Sequence, residues 1–309
     1  MPFILLVILI ALVLLVSYIC AQMVFAGDHS SQDDIHLPPG KQYLEIKDEI
    51  FALISEAAAL PYEEVWHQND GLRLHGRLYL QKEKAPIHIL MHGYRSPALL
   101  DFSGAIRDAV INGHNVLLVT QRAHGKSDGK YLSFGIKESR DCLAWIEYIN
   151  QRFGAEQPII LKGVSMGAAT VMMAAGKPLP DTVVGVLADC GYTSPKAIIR
   201  KVIRDMKLPP GPAYPFVRLG AKLFGHFDPE ADAPVEAMAR CRVPVIFFHG
   251  EEDAFVPCDM SRENYAACKA PKMLVTIPGA GHGLCYMVQP EAYLDALREF
   301  YDPGWKSRG

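Results

Sequence analysis

The chain has 309 residues, is 50% hydrophobic and 21% charged, and carries a formal net charge of −3 at pH 7. These values exclude a disordered chain, a collagen-like fibre and a small disulfide scaffold, and the near-neutral balance lacks the basic footprint of a nucleic-acid binder. The length suffices for one large α/β domain or two small ones with a real core, and every charged side chain lies beyond Gly27.

Pro2 to Val16 is unbroken apolar sequence, with Ser17, Tyr18 and Gln22 as the polar interruptions before Gly27. About 20 apolar residues cross a hydrocarbon core as a helix, so residues 1–27 are expected to form a transmembrane anchor. The alternative is a signal peptide cleaved after Val24-Phe25-Ala26. Against it, the apolar run exceeds the roughly 7–15 residues of a signal core and no Lys or Arg precedes it. Cys20 is a poor lipid-attachment site because Ile19 stands where a small residue is needed. The next stretch carries Asp28, Asp33, Asp34, Glu45, Asp48 and Glu49 against only Lys41 and Lys47. By the positive-inside rule this flank is not held in the cytoplasm, which predicts a single-pass protein with an extracytoplasmic body, or a secreted one if the segment is cleaved.

Residues 28–40 are polar and end in Pro38-Pro39-Gly40, the composition of a linker; 41–59 have the pattern of a surface helix. Glu63 to Gln68 and Leu72 to Leu80 flank Asn69-Asp70-Gly71, a hairpin signal. Short apolar runs then recur at Ile87–Met91, Val116–Thr120, Ile159–Leu161, Val183–Ala188, Val243–Phe248 and Met273–Ile277. Segments of helical period separate them, such as Ile136 to Phe153 and Met166 to Ala175. Runs buried on both faces and spaced by helices predict a mostly parallel sheet with helices on either side, in one domain over 41–302 with a tail at 303–309. The interval from Ala188 to Val243 is too long for one crossover helix. It is expected to hold a helical cap, about 191–233, over the C-terminal edge of the sheet. Seven cysteines form no Cys-x-x-Cys pair and no zinc-like spacing; buried free thiols are expected, with one disulfide as the alternative.

Gly163-Val164-Ser165-Met166-Gly167 follows an apolar run and opens a helix of small residues. A sharp strand-to-helix turn tolerates only small neighbours around an exposed nucleophile, and the helix N-terminus beneath it favours developing negative charge. Ser165 then needs a base and an orienting acid. His282, after Leu274 to Ile277, and Asp253, after Val245 to Phe248, stand downstream in the order Ser, Asp, His. Glu251, Glu252 and Asp189 are the rival acids. Oxyanion stabilisation asks for converging backbone N–H groups, from Met166 and from Tyr94 in His92-Gly93-Tyr94. His92 and His124 are expected to be structural, satisfying loop backbone.

Together with Gln121 to Ser127, Asp189-Cys190, His249 to Pro257 and Gly281-His282-Gly283, these motifs resemble the α/β-hydrolase superfamily over about residues 60–302. Within it the chain is similar to bacterial membrane-anchored or secreted hydrolases of the serine aminopeptidase and prolyl-oligopeptidase-like group. The resemblance implies a helical cap and a Ser165–Asp253–His282 triad. Family members often carry Asp at the position of Thr120 and Gly at that of Ala123, departures that bear on a supporting loop. The group includes esterases, thioesterases, acyltransferases and peptidases.

In the cap, Ile198, Ile199, Val202, Ile203 and Met206 recur at helical spacing, with Lys196, Arg200, Lys201, Arg204 and Lys207 between them. Such a helix either lies on an anionic membrane or packs its apolar face on the domain. The expected activity is hydrolysis of carboxylic esters, with a lipophilic acyl group, through an acyl-enzyme and with no metal or organic cofactor. An aminopeptidase with the same triad is the alternative, and a non-catalytic binding protein the remote one. An aminopeptidase needs acidic groups for the substrate ammonium, of which the basic cap gives little sign.

Overall fold

The computed structural model describes residues 2–30 and 35–301. The middle of the expected linker, with Asp33 and Asp34, and the expected tail at 303–309 lie outside the described residues. Helix α1 (Pro2–Phe25) carries no charge, and it alone among the described residues is long and apolar enough to cross a membrane. The predicted helix at 41–59 is broken at Ile46 into α2 (Lys41–Glu45) and α3 (Lys47–Ala59), with only α3 turning an apolar face, Ile50, Leu53, Ile54 and Ala57, inward.

Strands β1 (Glu63–Asn69) and β2 (Leu72–Tyr79) form the hairpin, its turn made by Asp70 (φ 52°) and Gly71 (φ 73°). Two positive φ values in succession match the right-handed strand twist, which is why Asp-Gly serves here. β3 (Ile87–Met91), α4 (Ala98–Ile111), β4 (Asn115–Thr120), α5 (Glu138–Phe153), β5 (Ile159–Val164), α6 (Met166–Ala175) and β6 (Val183–Asp189) then alternate. The helix expected from Ile136 begins at Glu138, whose buried carboxylate accepts the N–H groups of Ser133 and Gly135. After the cap come β7 (Val245–Gly250) and β8 (Lys272–Ile277), α10 (Asp259–Ala267) between them. β7 starts two residues after the apolar run does because Pro244 has no N–H for the ladder. α11 (Cys285–Val288) and α12 (Pro290–Tyr301) close the described chain.

The eight strands order as β1-β2-β4-β3-β5-β6-β7-β8, antiparallel at β1, β2 and β4 and parallel from there on. Both faces are covered, so β3, β4 and β7 are buried at every position, as their continuous apolar sequences require. Each fully buried Ile, Leu or Phe there contributes roughly 1.5–3 kcal/mol. All seven cysteines are free.

Between β6 and β7 lie α7 (Pro195–Asp205), α8 (Pro210–Gly220), a π-helical turn (Ala221–Gly225) and α9 (Pro234–Met238), which falls just past the expected end of the cap at 233. Ser194 caps α7 by accepting the Ala197 N–H at 3.0 Å, and Pro195 sits in the first turn where its missing N–H costs nothing. Ile198, Ile199 and Ile203 are buried, so α7 packs its apolar face inward; Arg204 stays exposed, while Lys201 is largely covered and pairs with Asp205 at 2.6 Å. The end of α1 packs on α8 and joins the core cluster of the cap through Ala21 and Phe25. Beyond it, the Gly27 N–H donates to Lys130 O (2.9 Å), Asp28 N–H to Ala123 O (2.8 Å) and Gly125 N–H to Asp28 O (2.8 Å). The His29 ring nitrogens lie 3.0 and 2.9 Å from Gly125 O and Gly129 O.

Candidate active site

Ser165 stands between β5 and α6 with φ 56° and ψ −114°, a conformation that L residues rarely adopt. The turn is so tight that a Cβ on Gly163 would lie 2.1 Å from Gly167 O, and one on Gly167 1.7 Å from Met91 O. Only glycine fits at either position. The Ser165 N–H donates to Asp189 O at 2.8 Å, holding the turn to β6.

The loops after β7 and β8 bring two predicted residues to this serine. Ser165 Oγ is 2.9 Å from His282 Nε2, and His282 Nδ1 is 2.6 Å from Asp253 Oδ2. Asp253 Oδ1 accepts the N–H groups of Phe255 (2.9 Å) and Val256 (2.8 Å), and His249 Nε2 lies 3.2 Å from Oδ2. Burial pushes the Asp253 carboxyl upward, but the hydrogen bonds from His249, His282 and Val256 outweigh it and hold it at about 2. The rival acids are engaged elsewhere. Glu251 accepts from Thr276 Oγ1 at 2.7 Å on the surface, and Asp189 is buried with its carboxyl raised by desolvation.

Met166 heads α6, where no preceding carbonyl of the helix claims its N–H. In the loop after β3, Gly93 N–H donates to Asp101 Oδ2 at 2.6 Å while Ser96 Oγ donates to Oδ1 at 2.7 Å. Burial raises the Asp101 carboxyl to about 6 against these bonds. A Cβ on Gly93 would lie 3.6 Å from Ser165 Cβ, so Tyr94 follows close beside Ser165. His92 accepts the Gln121 N–H on Nε2 (3.0 Å) with Nδ1 on Gly93 O (2.8 Å), and His124 accepts the Arg95 N–H on Nε2 (3.1 Å) with Nδ1 on Arg122 O (2.8 Å). Desolvation lowers them to about 3 and about 4, so both are neutral struts between loops. Ala123, where relatives often have Gly, has φ 61°, the conformation that favours Gly there; Thr120 lies 3.0 Å from His75 Nδ1.

A cavity of about 250 Å³ opens at Ser165, walled by Tyr94, Phe134, Met166, Tyr192, the inner face of α7, Phe255 and, from α1, Met23 and Val24. Cys190, Asp253 and His282 have ligand-type atoms within 4.8 Å of one another. They do not suit a metal: Asp253 and His282 are committed to each other, and burial beside Asp189 and Asp253 keeps the Cys190 thiol protonated.

Three contributions escape the sequence. Tyr43 donates to His282 O at 2.9 Å and Gln42 to Gly279 O at 2.9 Å, so α2 braces the histidine loop from more than 230 positions away. Asp101 fixes the loop of Gly93, and Met23 and Val24 reach the cavity. Met23 and Val24 stand among the apolar residues already assigned to a membrane, and nothing local marks the others.

The profile of the alpha/beta hydrolase family matches residues 89–296. The chain is similar to the uncharacterized protein YqkD of Bacillus subtilis, 27% identical over 191 residues, which are 62% of this chain and 63% of that protein, so the match spans somewhat under two thirds of the relative's length. Among solved structures, the Pyrococcus furiosus esterase Pf2001 superposes with a TM-score of 0.65 at 23% identity, over 89% of this chain and 97% of that one. An acylaminoacyl peptidase of Pyrococcus horikoshii superposes with a TM-score of 0.57 at 17% identity, over 82% and 43%. These structures share the overall fold, and with the family profile matching 89–296, two thirds of the chain, the chain belongs to the alpha/beta hydrolase family.

Proposed function

We propose that the protein is a membrane-anchored serine hydrolase that cleaves carboxylic esters through an acyl-enzyme. The observation that carries this reading is the unbroken chain Asp253–His282–Ser165, at 2.6 and 2.9 Å, opening on an apolar cavity. His282 Nε2 takes the Ser165 proton as Oγ bonds to the ester carbonyl carbon, and Asp253 holds the proton on Nδ1 and stabilises the imidazolium. The N–H groups of Met166 and Tyr94 hold the oxyanion. Collapse of the tetrahedral intermediate breaks the bond to the alkoxy oxygen, which leaves as alcohol with the proton from His282. Water, deprotonated by His282, then attacks the acyl-enzyme, and Oγ departs with that proton to release the carboxylic acid. The working domain in this reading is residues 41–302 with the cap between β6 and β7, and the acidic flank after α1 orients it outside the cytoplasm.

An aminopeptidase needs a carboxylate for the substrate ammonium, and among the described residues that line the cavity none is acidic. The test is labelling by a fluorophosphonate of wild type beside Ser165→Ala, followed by matched ester, thioester and peptide substrates. Labelling of wild type alone, with esters fastest, is the expected result. An unlabelled wild type refutes the serine-hydrolase reading, and faster cleavage of peptides replaces the esterase by a peptidase.

A further inference from the structure

Helix α1 does two things along its length. Its first part is bare: Phe3, Leu5, Ile8 and Leu12 are all more than half exposed. Over its last nine residues one face of the helix packs on the protein, while Tyr18, Ile19 and Met23 stay exposed on the other. Ser17, Ala21 and Phe25, four apart and therefore on one face, are fully buried. Gly220 of α8 lets the two helices touch, since a Cβ there would stand 2.2 Å from Ser17 O. The Phe25 ring meets Phe227 and Phe134 edge-on at 5.1 and 5.7 Å. The helix ends on the domain's own donors: Arg95 Nη2 donates to Met23 O (3.2 Å) and Ala26 O (2.8 Å), Tyr94 Oη to Val24 O (3.1 Å), and Leu132 N–H to Phe25 O (2.9 Å). The carbonyls that a helix leaves unsatisfied at its C-terminus are thus taken up by Tyr94, which lines the cavity at Ser165, and by Arg95 and Leu132. Cleavage after Ala26 would strip Phe25 and Ala21 from the core and remove one wall of the cavity.

Length sets the depth. At 1.5 Å per residue, Pro2–Val16 gives about 22 Å, short of the roughly 30 Å hydrocarbon core. To span, the helix must also use part of the segment that packs on the cap. That brings the cap and the cavity mouth to the bilayer boundary, where Met206 and Phe255, both lining the cavity, and Leu223, in the π-helical turn against α1, are 53%, 44% and 44% exposed. The cavity wall is almost wholly apolar.

We propose that the last two turns of α1 are a permanent part of the substrate site. Met23 and Val24 close the acyl pocket of Ser165, and the pocket receives, from the bilayer side, the hydrocarbon chain of a membrane-borne acyl ester. The proposal rests on the serine-hydrolase reading above, and its test separates the two. The full chain, in phosphatidylcholine nanodiscs, is treated with a fluorophosphonate bearing a twelve-carbon chain that ends in a diazirine, then irradiated and digested. Adduct formation on Ser165 reports the hydrolase; the second attachment point reports the chain's path. Cross-links to Met23 or Val24 as well as to α7 are expected. Cross-links on α7 or solvent loops with none on α1 overturn the proposal while leaving the hydrolase standing, and no adduct at all refutes the hydrolase itself. In parallel, Val24→Trp should lower the ratio of kcat/KM for dodecanoyl over acetyl p-nitrophenyl esters at least tenfold, and Leu14→Trp, on the exposed part of α1, should not change it. A ratio within twofold of wild type in Val24→Trp, or an equal fall in Leu14→Trp, overturns the proposal. So does an intact mass showing a mature chain that begins near Gly27.

Discussion

Replacing Asp253 by Asn isolates the role of one proton. The two residues have the same shape, and the side-chain oxygen that accepts the Phe255 and Val256 N–H groups at 2.9 and 2.8 Å is kept only if the Asn amide oxygen takes that side. The amide nitrogen then faces His282 Nδ1 at the position where Oδ2 now lies 2.6 Å away. A donor at that place forces Nδ1 to be the acceptor and moves the imidazole proton to Nε2, against the Ser165 hydroxyl. The histidine can then neither take the serine proton nor have its charge balanced. Loss of this arrangement costs about four powers of ten in kcat, some 5 kcal/mol of barrier. The assay is p-nitrophenyl butyrate hydrolysis with a parallel rate of fluorophosphonate labelling, and circular dichroism confirms that the variant folds. A fall of less than tenfold in both rates in a folded variant would refute the argument and return Asp189 or Glu251 to consideration as the acid.

The same carboxyl links folding to acid. Its folded value of about 2 lies below the ordinary 3.8, so its contribution, about 2 kcal/mol, is fully present above pH 4 and is lost as the pH falls toward 2. In detergent-solubilised protein, urea unfolding should show Asp253→Asn less stable than wild type at pH 7, with the gap narrowing at pH 3; a constant gap contradicts the assignment. Gly167→Ala drives a methyl onto Met91 O and should cost at least about 3 kcal/mol, read as loss of soluble folded protein or a lower Tm. A Tm within a degree of wild type speaks against the tight turn. Tyr43→Phe removes one hydrogen bond to the His282 carbonyl, worth about 1 kcal/mol, and should lower kcat several-fold while KM holds. An unchanged kcat means that α2 does not position the histidine.

The central sheet was readable because a parallel strand buried on both faces is written as a plain apolar run, as in Ile87–Met91 and Val245–Phe248. Ser165 was readable because its turn dictates its neighbours, and Asp253 and His282 because chain order and strand ends limit where partners can stand. Edges were less legible. Ile46 carries no helix-breaking signal, yet the helix divides there, and the start of α5 follows the positive φ of Phe134 and Gly135 rather than the apolar period. Contacts that depend on how distant surfaces meet left no local trace. Tyr43 on the histidine loop is the plainest case, and the charge-free N-terminus spoke only of a membrane although its end belongs to the cap.

The hydrogen bonds from Gly27 to His29 have a further consequence, for how substrate is found. A free linker over 28–40 gives a tethered body a working radius of about 20 Å. Here the chain leaving α1 is fastened at once to the loop around Ala123, Gly125 and Gly129, so the body has no swing and turns only as α1 turns. Under the proposed reading of α1 as a membrane anchor, the search for substrate is two-dimensional. On that reading turnover is expected to follow lateral diffusion and the number of esters per unit area of bilayer, the bulk concentration mattering only through what it deposits there.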